Sequence, residues 1–305
     1  MIECFKIQLL SFDSEEEIFN IKKGKRIFGV DCLKPYFKAN PTIIVADPFL
    51  FEYKGKLHLF YESKGLYTPG VLMMTSTSDL VHWSKPVVVL KEPFHLSYPW
   101  VFKEAGKVYM IPETGQDGSI RLYEATSDSL SSFRLVKKLL EQPKDKEIKM
   151  GYGDSSIYKK DGKYYLMTML QYSEPVNVLE LYISDKFEGP YTPHPSSPII
   201  ESNKVGRDAG CWIEHQGKLL RVSQDCTHRY GDNVHVSEIT KLSPTEYEET
   251  LLKEKILPTD IPFYKEGGHQ FNVINFKGKW IVATDAKEYH RLIGTRILHK
   301  IKSKL

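Results

Sequence analysis

The chain has 305 residues, with 42 Lys and Arg against 39 Asp and Glu, so its formal net charge is only +3. This near balance argues against a nucleic-acid-binding protein, which usually carries a clustered basic excess. A composition of 41% hydrophobic and 27% charged residues is typical of a folded globular chain and excludes a largely disordered one.

The first ten residues contain neither the basic region nor the long apolar stretch of a signal peptide, and no apolar run is long enough to span a membrane. Four scattered cysteines without a Cys-x-x-Cys pair predict free thiols in a reducing compartment. They are Cys4, Cys32, Cys211 and Cys226. We therefore expect a cytoplasmic protein that spans no membrane and binds no nucleic acid.

One pattern recurs five times along the chain: an apolar stretch, a polar turn ending in Gly-Lys, and a second apolar stretch. The copies occupy residues 46–63, 97–114, 153–170, 206–226 and 267–286. Their turn glycines are Gly55, Gly106, Gly162, Gly217 and Gly278. Each copy predicts a β-hairpin, because glycine readily adopts the positive φ that tight turns require.

Additional strands are predicted after the hairpins. Third strands are indicated at residues 71–79, 120–128, 179–185 and 234–240. An aromatic residue and a fourth apolar stretch then follow in the first three copies. Four strands in each of five repeats, about 50–60 residues apart, predict an all-β fold, a five-bladed β-propeller with four-stranded blades. A β-sandwich or a right-handed β-helix gives no reason for this repeat length.

The fifth blade has to be completed from elsewhere in the chain. Its third strand is predicted at residues 291–300, and an N-terminal strand, at 4–10 or 26–30, is expected to close the ring and remove exposed edges. Only residues 14–23 suggest a helical turn or two. Because no Gly/Ser-rich linker occurs, we expect one domain over residues 1–305.

In a propeller the first strand of each blade lines the central channel, so equivalent repeat positions share one mouth. The positions before the turn glycines are Asp47, Tyr98, Asp154, Asp208 and His269. The second strands return to this mouth at Glu62, Glu113, Met169, Gln224 and Asp285. Convergent carboxylates must be protonated, paired with cations or bound to metal, and such pKa shifts suit acid–base catalysis. Any one of them could instead cap a turn or form a structural ion pair.

Several residues near the mouth are candidates for binding a ligand. Tyr98, Trp100 and Tyr230 could stack on sugar rings or could pack as core residues. His269, next to Gln270, could bind a metal ion or its water shell, or could be a satisfied neutral histidine. We therefore expect no cofactor, while a channel-bound cation stays open.

The fourth repeat contributes a basic set to the same region. Arg207 and Arg229, with Asp225 nearby, suit an anionic sugar because guanidinium groups bind oxyanions in a bidentate manner. The small residues at 209–210 would leave room for that ligand. The structural alternative is an Arg207–Asp225 or Arg229–Asp208 ion pair that only holds this repeat together.

Short motifs in the repeats resemble known families. The ADPF sequence at 46–49, the aspartate opening the third repeat and STSDLVHW at 76–83 resemble the glycoside hydrolase clan of five-bladed propellers, which includes arabinanases, xylosidases and fructosidases. A more specific resemblance extends from about residue 40 to 285 through SYPWVF, PETG, GYGDSSI, GRDAGC and QDCTHRYGD. These motifs resemble the N-terminal propeller domain of plant glucosamine inositolphosphorylceramide transferases and of proteins from bacterial surface-polysaccharide loci.

The hydrolase resemblance implies roles for individual residues. It implies that Asp47 is the general base and that Asp154 orients the sugar and tunes pKa values. Where the family has a glutamate as general acid in the fourth blade, this chain has Asp208, which is one methylene shorter. Glu113 is the alternative acid.

Two functions follow as expectations, and the oligomeric state stays open. The first is a glycoside hydrolase-like enzyme or a sugar transferase that acts on a glycan or glycoconjugate, including an anionic one. The alternative is a non-catalytic glycan-binding propeller in surface polysaccharide or glycolipid biosynthesis. Nothing specific supports a third class, a scaffold that binds proteins on its rim.

Overall fold

The computed structural model describes residues 1–32, 39–144, 147–291, 299–300 and 302. In these residues five antiparallel sheets form five blades of four strands, and the third blade has one additional short strand. The sheets follow one another around a ring, so the predicted five-bladed β-propeller is confirmed.

The strands follow the repeats closely. The chain starts with β1 (Ile2–Phe12) and β2 (Lys25–Val30). Blade one contains β3 (Thr42–Tyr53), β4 (Lys56–Gly65), β5 (Gly70–Thr77) and β6 (Val87–Leu90). Blade two contains β7 (Ser97–Glu104), β8 (Lys107–Glu113), β9 (Ser119–Ala125) and β10 (Phe133–Glu141).

The other blades continue this order. Blade three contains β11 (Met150–Lys160), β12 (Lys163–Gln171), β13 (Val178–Ser184), β14 (Thr192–Pro193) and β15 (Ile200–Glu201). Blade four contains β16 (Ile213–His215), β17 (Lys218–Asp225), β18 (Asn233–Leu242) and β19 (Tyr247–Lys253). Blade five adds β20 (Phe271–Phe276) and β21 (Lys279–His290).

Apart from the α-helical residues 299–300 and 302, the helix in the described part of the chain consists of short 3-10 turns. They are Glu15–Glu17, Ile21–Lys23, Gly115–Asp117 and Pro262–Tyr264. The first two confirm the helical turns predicted at 14–23. Among the described residues, no helix has the length and apolar character needed to cross a membrane.

Two N-terminal strands, rather than one, close the ring. Blade five has the order β2-β1-β21-β20, so β1 is its third strand and β2 its fourth. The register of β1 with β21 runs without a break from the Ile2–His290 pair to the Phe12–Trp280 pair. Both N-terminal alternatives are therefore used. The third strand predicted at 291–300 falls largely outside the described residues, and β1 holds that position in the blade.

The five hairpin turns share one backbone conformation. In each, the glycine and the residue before it both have positive φ, as at Lys54 (50°) and Gly55 (74°) in blade one. This is the two-residue turn whose twist matches that of paired strands. A Cβ added at any of the five glycines meets nothing within 4 Å, so backbone conformation rather than space selects glycine there.

Apolar side chains fill the spaces between neighbouring blades. One cluster joins blades one, two and three, and a second joins blades four and five around Phe271. A third, around Phe276, seals blade five against blade one. Because these clusters lie between the sheets, polar side chains are left to line the central channel.

Candidate active site at the channel mouth

The first strands of blades one, two and three carry the same irregularity. Asp47, Tyr98 and Asp154 have φ values of 52°, 46° and 51°, in the left-handed region. Beside each of them the register with the second strand shifts, as in a β-bulge. This conformation is costly for a residue with a Cβ, and such strain concentrates at functional sites. The repeat predicted these three positions, but nothing in the sequence predicted their left-handed backbone conformation.

His269 of blade five lies between two buried carboxylates. Its Nε2 is 3.0 Å from Asp47 Oδ1, and its Nδ1 is 2.9 Å from Asp285 Oδ2. Burial opposes a charged imidazole, but the two carboxylates outweigh burial and raise the pKa of His269 well above its ordinary value. The two carboxylates therefore favour the cationic imidazole over the neutral one that the sequence suggested.

Asp47 is an ionised carboxylate at the floor of the mouth. While Oδ1 faces His269, Oδ2 accepts a 3.0 Å hydrogen bond from the Tyr98 backbone N–H. Burial opposes the charge of Asp47, but these partners outweigh it and lower the pKa of Asp47 below its ordinary value. A lowered pKa keeps Asp47 ionised near neutral pH and thus able to accept a proton, although it also makes Asp47 a weaker base than an ordinary aspartate.

The same three side chains meet the distance requirement for a metal site. Ligand atoms of Asp47, His269 and Asp285 lie within 4.8 Å of one another. A divalent cation would have to displace the proton of His269, which already balances these carboxylates.

Arg207 of blade four organises the other side of the mouth. Its Nε donates to Asp154 Oδ2 at 2.5 Å, and its Nη2 lies 3.5 Å from Glu113 Oε2. Gln224 Nε2 donates to the same Asp154 oxygen at 2.9 Å. The guanidinium also lies 5.1 Å from the ring centroid of Tyr230, within cation–π range. Burial raises the pKa of Asp154, although Arg207 acts in the opposite direction.

Two glutamates at the ends of second strands favour the protonated state. Burial, with the nearby charge of Asp154, raises the pKa of Glu113 to about 8. Burial and the charge of Asp47 raise the pKa of Glu62 well above its ordinary value. Glu62 Oε1 is buried 3.5 Å from His95 Nε2, a neighbour that the sequence gave no reason to select. Glu113 is the accessible member of this pair, since 18% of its side chain is exposed against 6% for Glu62.

Tyr98 and Trp100 do not reach a ligand. The Tyr98 hydroxyl donates across the channel to the carbonyl oxygen of Gly210, and Tyr98 is fully buried. Trp100 stacks on Phe102 with ring centroids 4.4 Å apart, inside the cluster that joins blades one to three. The packing alternative therefore holds for both aromatics.

The small residues of blade four do not leave an open space. A Cβ on Gly210 would lie 2.1 Å from the Phe271 carbonyl oxygen, and Ala209 is fully buried. The expectation that this pair makes room for a ligand is wrong, because the backbone of blade five closes against it.

Asp208 belongs to a separate buried group. Arg221 Nη1 donates to Asp208 Oδ1 at 2.9 Å, and Arg221 also makes two 2.7 Å hydrogen bonds to Glu249. Burial raises the pKa of Asp208 to about 7, against the opposing effect of Arg221. The described structure thus pairs Asp208 with Arg221 rather than with Arg229, and sets it apart from the mouth as an enclosed ion pair.

The remaining candidates lie away from the mouth or have no partner there. Asp225 faces His235 at 3.3 Å rather than Arg207. Arg229 pairs with Asp232 at 2.9 Å and lines a cavity of about 950 Å³ between blades four and five. Gln270 is fully buried, and its side-chain amide finds no hydrogen-bond partner among the described residues.

Comparison with known proteins confirms the more specific resemblance. The family model described as glucosamine inositolphosphorylceramide transferase 1, N-terminal, matches residues 29–285. The glucosamine inositolphosphorylceramide transferase 1 of Oryza sativa subsp. japonica is 33% identical over 225 residues, which are 72% of this chain and 29% of that protein. The Arabidopsis thaliana protein of the same name is 33% identical over 68% of this chain and 27% of its own length. The chain thus spans less than a third of these relatives.

Solved structures support the fold. A thermostable family-43 glycoside hydrolase aligns with a TM-score of 0.56 at 15% identity, over 78% of this chain and 84% of its own. A family 117 glycoside hydrolase of Zobellia galactanivorans aligns with a TM-score of 0.55 at 13% identity, over 80% of this chain and 84% of its own. At these identities the likeness concerns the propeller architecture alone.

Proposed function

We propose that this chain, which belongs to the family of glucosamine inositolphosphorylceramide transferase 1 N-terminal domains, is a carbohydrate-active protein that performs acid–base catalysis at its channel mouth. The observation that carries the proposal is a difference between two carboxyl groups. Contacts with His269 and Tyr98 keep Asp47 ionised, whereas burial beside Asp154 keeps Glu113 protonated near neutral pH. Carboxyl groups with pKa values driven apart can act as base and acid in one reaction.

In the proposed reaction Glu113 donates its proton to the oxygen of the leaving group as the glycosidic C–O bond breaks. Asp47 accepts a proton from the attacking hydroxyl group, and the new C–O bond forms to that oxygen. The attacking group is water in hydrolysis or a sugar or lipid hydroxyl in transfer. Both carboxyl groups return to their starting states by exchanging protons with solvent.

The rim of the mouth supports a glycan as the ligand. Tyr230 is 41% exposed, and its ring is held in place by Arg207 below it. An exposed, fixed aromatic ring offers a flat apolar face for stacking. The names of the plant relatives support a glycoconjugate as the ligand class. An anionic ligand is less favoured, because the buried Asp154 already pairs with Arg207. A cytoplasmic location, a role in polysaccharide or glycolipid biosynthesis and a single domain over the whole chain stay parts of this proposal.

A panel of aryl glycosides, oligosaccharides and glycolipids tests the catalytic claim. Wild type should release or transfer a sugar from at least one member, and Asp47→Asn and Glu113→Gln should each abolish most of that turnover. Glu92→Gln is a matched control, since the Glu92 side chain is 21% exposed and contacts Tyr123 and Arg121 outside the mouth. Equal turnover in wild type and Asp47→Asn would refute the assignment.

One observation favours a second candidate, a glycan-binding module without catalysis. Both oxygens of Asp47 already have partners, and Asp154 is held by Arg207 and Gln224, so the two aspartates could serve only to shape the mouth. Calorimetry on the same panel separates the two functions. Binding without turnover in wild type supports the module, whereas binding retained with turnover lost in Asp47→Asn supports the enzyme.

A further inference from the structure

Four side chains meet where the ends of the ring are joined, and we call them the closure cluster: Cys4, Cys32, Glu288 and His290. Cys4 lies on β1, Cys32 follows β2, and Glu288 and His290 end β21. These three strands are neighbours in blade five. The fold therefore gathers the cluster from three segments that are far apart in the sequence.

The distances in the closure cluster are those of a potential ligand set. Donor atoms of Cys4, Cys32 and His290 all lie within 4.8 Å of one another. Glu288 Oε1 is 3.2 Å from Cys32 Sγ and 2.6 Å from His290 Nε2. Both cysteines are buried, with exposures of 0% and 6%. Ligands of a tetrahedral zinc ion lie about 3.8 Å apart when the Zn–S bonds are about 2.3 Å. Cys4, Cys32 and His290 therefore need little movement, whereas the Glu288 carboxylate lies outside that group and has to move closer to become the fourth ligand.

We propose that the closure cluster binds one zinc ion, with Cys4, Cys32 and His290 as ligands and Glu288 as the fourth. Thiolate and imidazole groups select zinc among the common cellular divalent ions, and four protein ligands make a closed, structural site. The ion would tie β1, the end of β2 and β21 together at the closure. This inference stands apart from the channel mouth and from the proposed catalysis.

Charge and proton balance are consistent with this ion. Binding converts the two thiols to thiolates, and their two protons leave to solvent. Two thiolates and the Glu288 carboxylate carry three negative charges. The zinc ion supplies two positive charges, and Lys6, whose Nζ is 2.7 Å from Glu288 Oε2, supplies the third. The buried group is thus neutral when the ion is bound.

The other two cysteines provide matched controls. Cys211 Sγ accepts a hydrogen bond from Asn272 Nδ2 at 3.3 Å, and Cys226 Sγ lies 3.9 Å from Gln224 Oε1. Neither of them belongs to a metal-ligand group among the described residues. The His269→Gln variant controls for a metal ion bound at the channel mouth by Asp47, His269 and Asp285.

The test is zinc content and affinity, measured on the full chain purified under reducing conditions. We expect one zinc ion per chain in wild type and in the Cys211→Ser, Cys226→Ser and His269→Gln variants. Cys4→Ser and Cys32→Ser should weaken zinc binding more than about tenfold. Cobalt substituted for zinc should give a thiolate-to-metal absorption band that is weaker in each of these two variants, because each keeps only one of the two thiolates. Chelation should lower the melting temperature of wild type but not that of Cys32→Ser.

His290→Ala keeps the proposal testable if a cysteine variant does not fold, because 20% of the His290 side chain is exposed and its removal leaves the strand pairing intact. It should also weaken zinc binding. Zinc bound no more tightly by wild type than by Cys32→Ser would overturn the proposal. So would a Cys4–Cys32 disulfide in the native chain that excludes added zinc.

Discussion

Two arginines in blade four each hold a pair of carboxylates, and the pairs differ in what surrounds them. Arg221 is enclosed with Asp208 and Glu249, and its side chain is 2% exposed. Arg207 binds Asp154 and Glu113 at the channel mouth, below the exposed ring of Tyr230. The first arginine has short, well-directed bonds to both partners, whereas the second reaches Glu113 only at 3.5 Å.

The comparison distinguishes a structural ion cluster around Arg221 from the cluster around Arg207 that we propose to be functional. Burial alone does not distinguish them, because Arg207 and Asp154 are nearly as enclosed as Arg221 and Asp208. The difference is the loosely held, partly exposed Glu113, whose pKa is raised to about 8 while Asp47 nearby stays ionised. Incomplete pairing next to solvent leaves a carboxyl group free to exchange its proton.

Removing the enclosed arginine should have the largest effect. Arg221→Ala leaves Asp208 and Glu249 buried without their cation, which typically costs about 3–5 kcal/mol of stability. Urea unfolding at neutral pH measures this loss. Arg134→Ala, which breaks an exposed pair with Glu124, should cost no more than about 1 kcal/mol. If Arg221→Ala unfolds no more easily than Arg134→Ala, the cluster is not structural.

Glu113→Gln should lower turnover without lowering stability, in contrast to Arg221→Ala. It removes the proton donor, so turnover on any substrate found should fall about 10²–10⁴-fold. Stability should not fall, because the neutral amide replaces a group that the mouth already keeps protonated. Initial rates and urea unfolding are measured on the same preparation. A stability loss as large as that of Arg221→Ala would place Glu113 in a structural cluster.

The stability of the folded chain should fall as the pH rises, because the pKa of the Glu113 carboxyl group is raised. Glu113 remains protonated in the folded chain up to about pH 8, while it ionises in the unfolded chain near 4.5. Its stabilising contribution is fully present below pH 4.5 and is lost as the pH rises towards 8, with a slope of at most about 1.4 kcal/mol per pH unit. Glu113→Gln should remove this slope. Identical unfolding free energies against pH in both proteins would contradict the raised pKa.

The smallest expected effect is a change in glycan affinity when Tyr230, the exposed aromatic residue at the mouth, is replaced. Tyr230→Ala should weaken glycan binding by about 1 kcal/mol and leave stability nearly unchanged, since it removes one exposed stacking face. Tyr230→Phe keeps that face and should bind like wild type in calorimetry. Equal affinity in wild type and Tyr230→Ala would show that the ligand does not stack on this ring.

The repeat made the ring and the mouth predictable. Turn glycines at regular intervals indicated five hairpins, and equivalent repeat positions placed Asp47, Asp154 and His269 on one channel. A repeat gives the location of a Cα atom in a blade, and that was enough to predict the architecture and part of the mouth.

Side-chain partners were not predictable in the same way. Asp208 occupies the repeat position of Asp47 and Asp154, yet it pairs with Arg221 from the next strand. Tyr98 also occupies that position, but its buried hydroxyl donates a hydrogen bond to the Gly210 carbonyl oxygen of blade four. These outcomes depend on rotamers and on contacts between distant blades, as does the use of both β1 and β2 to close the ring. None of them leaves a local pattern in the sequence.

The proposed reaction requires Glu113 to be protonated near neutral pH, and this protonation state can be measured without a substrate. Carbon-13 NMR of the glutamate carboxyl groups can be followed against pH in wild type and in Glu113→Gln. We expect one resonance that titrates near pH 8 in wild type and is missing from the variant. If the resonance that the variant loses titrates near the ordinary glutamate value of about 4.3, the channel mouth lacks the protonated acid that the proposed reaction requires.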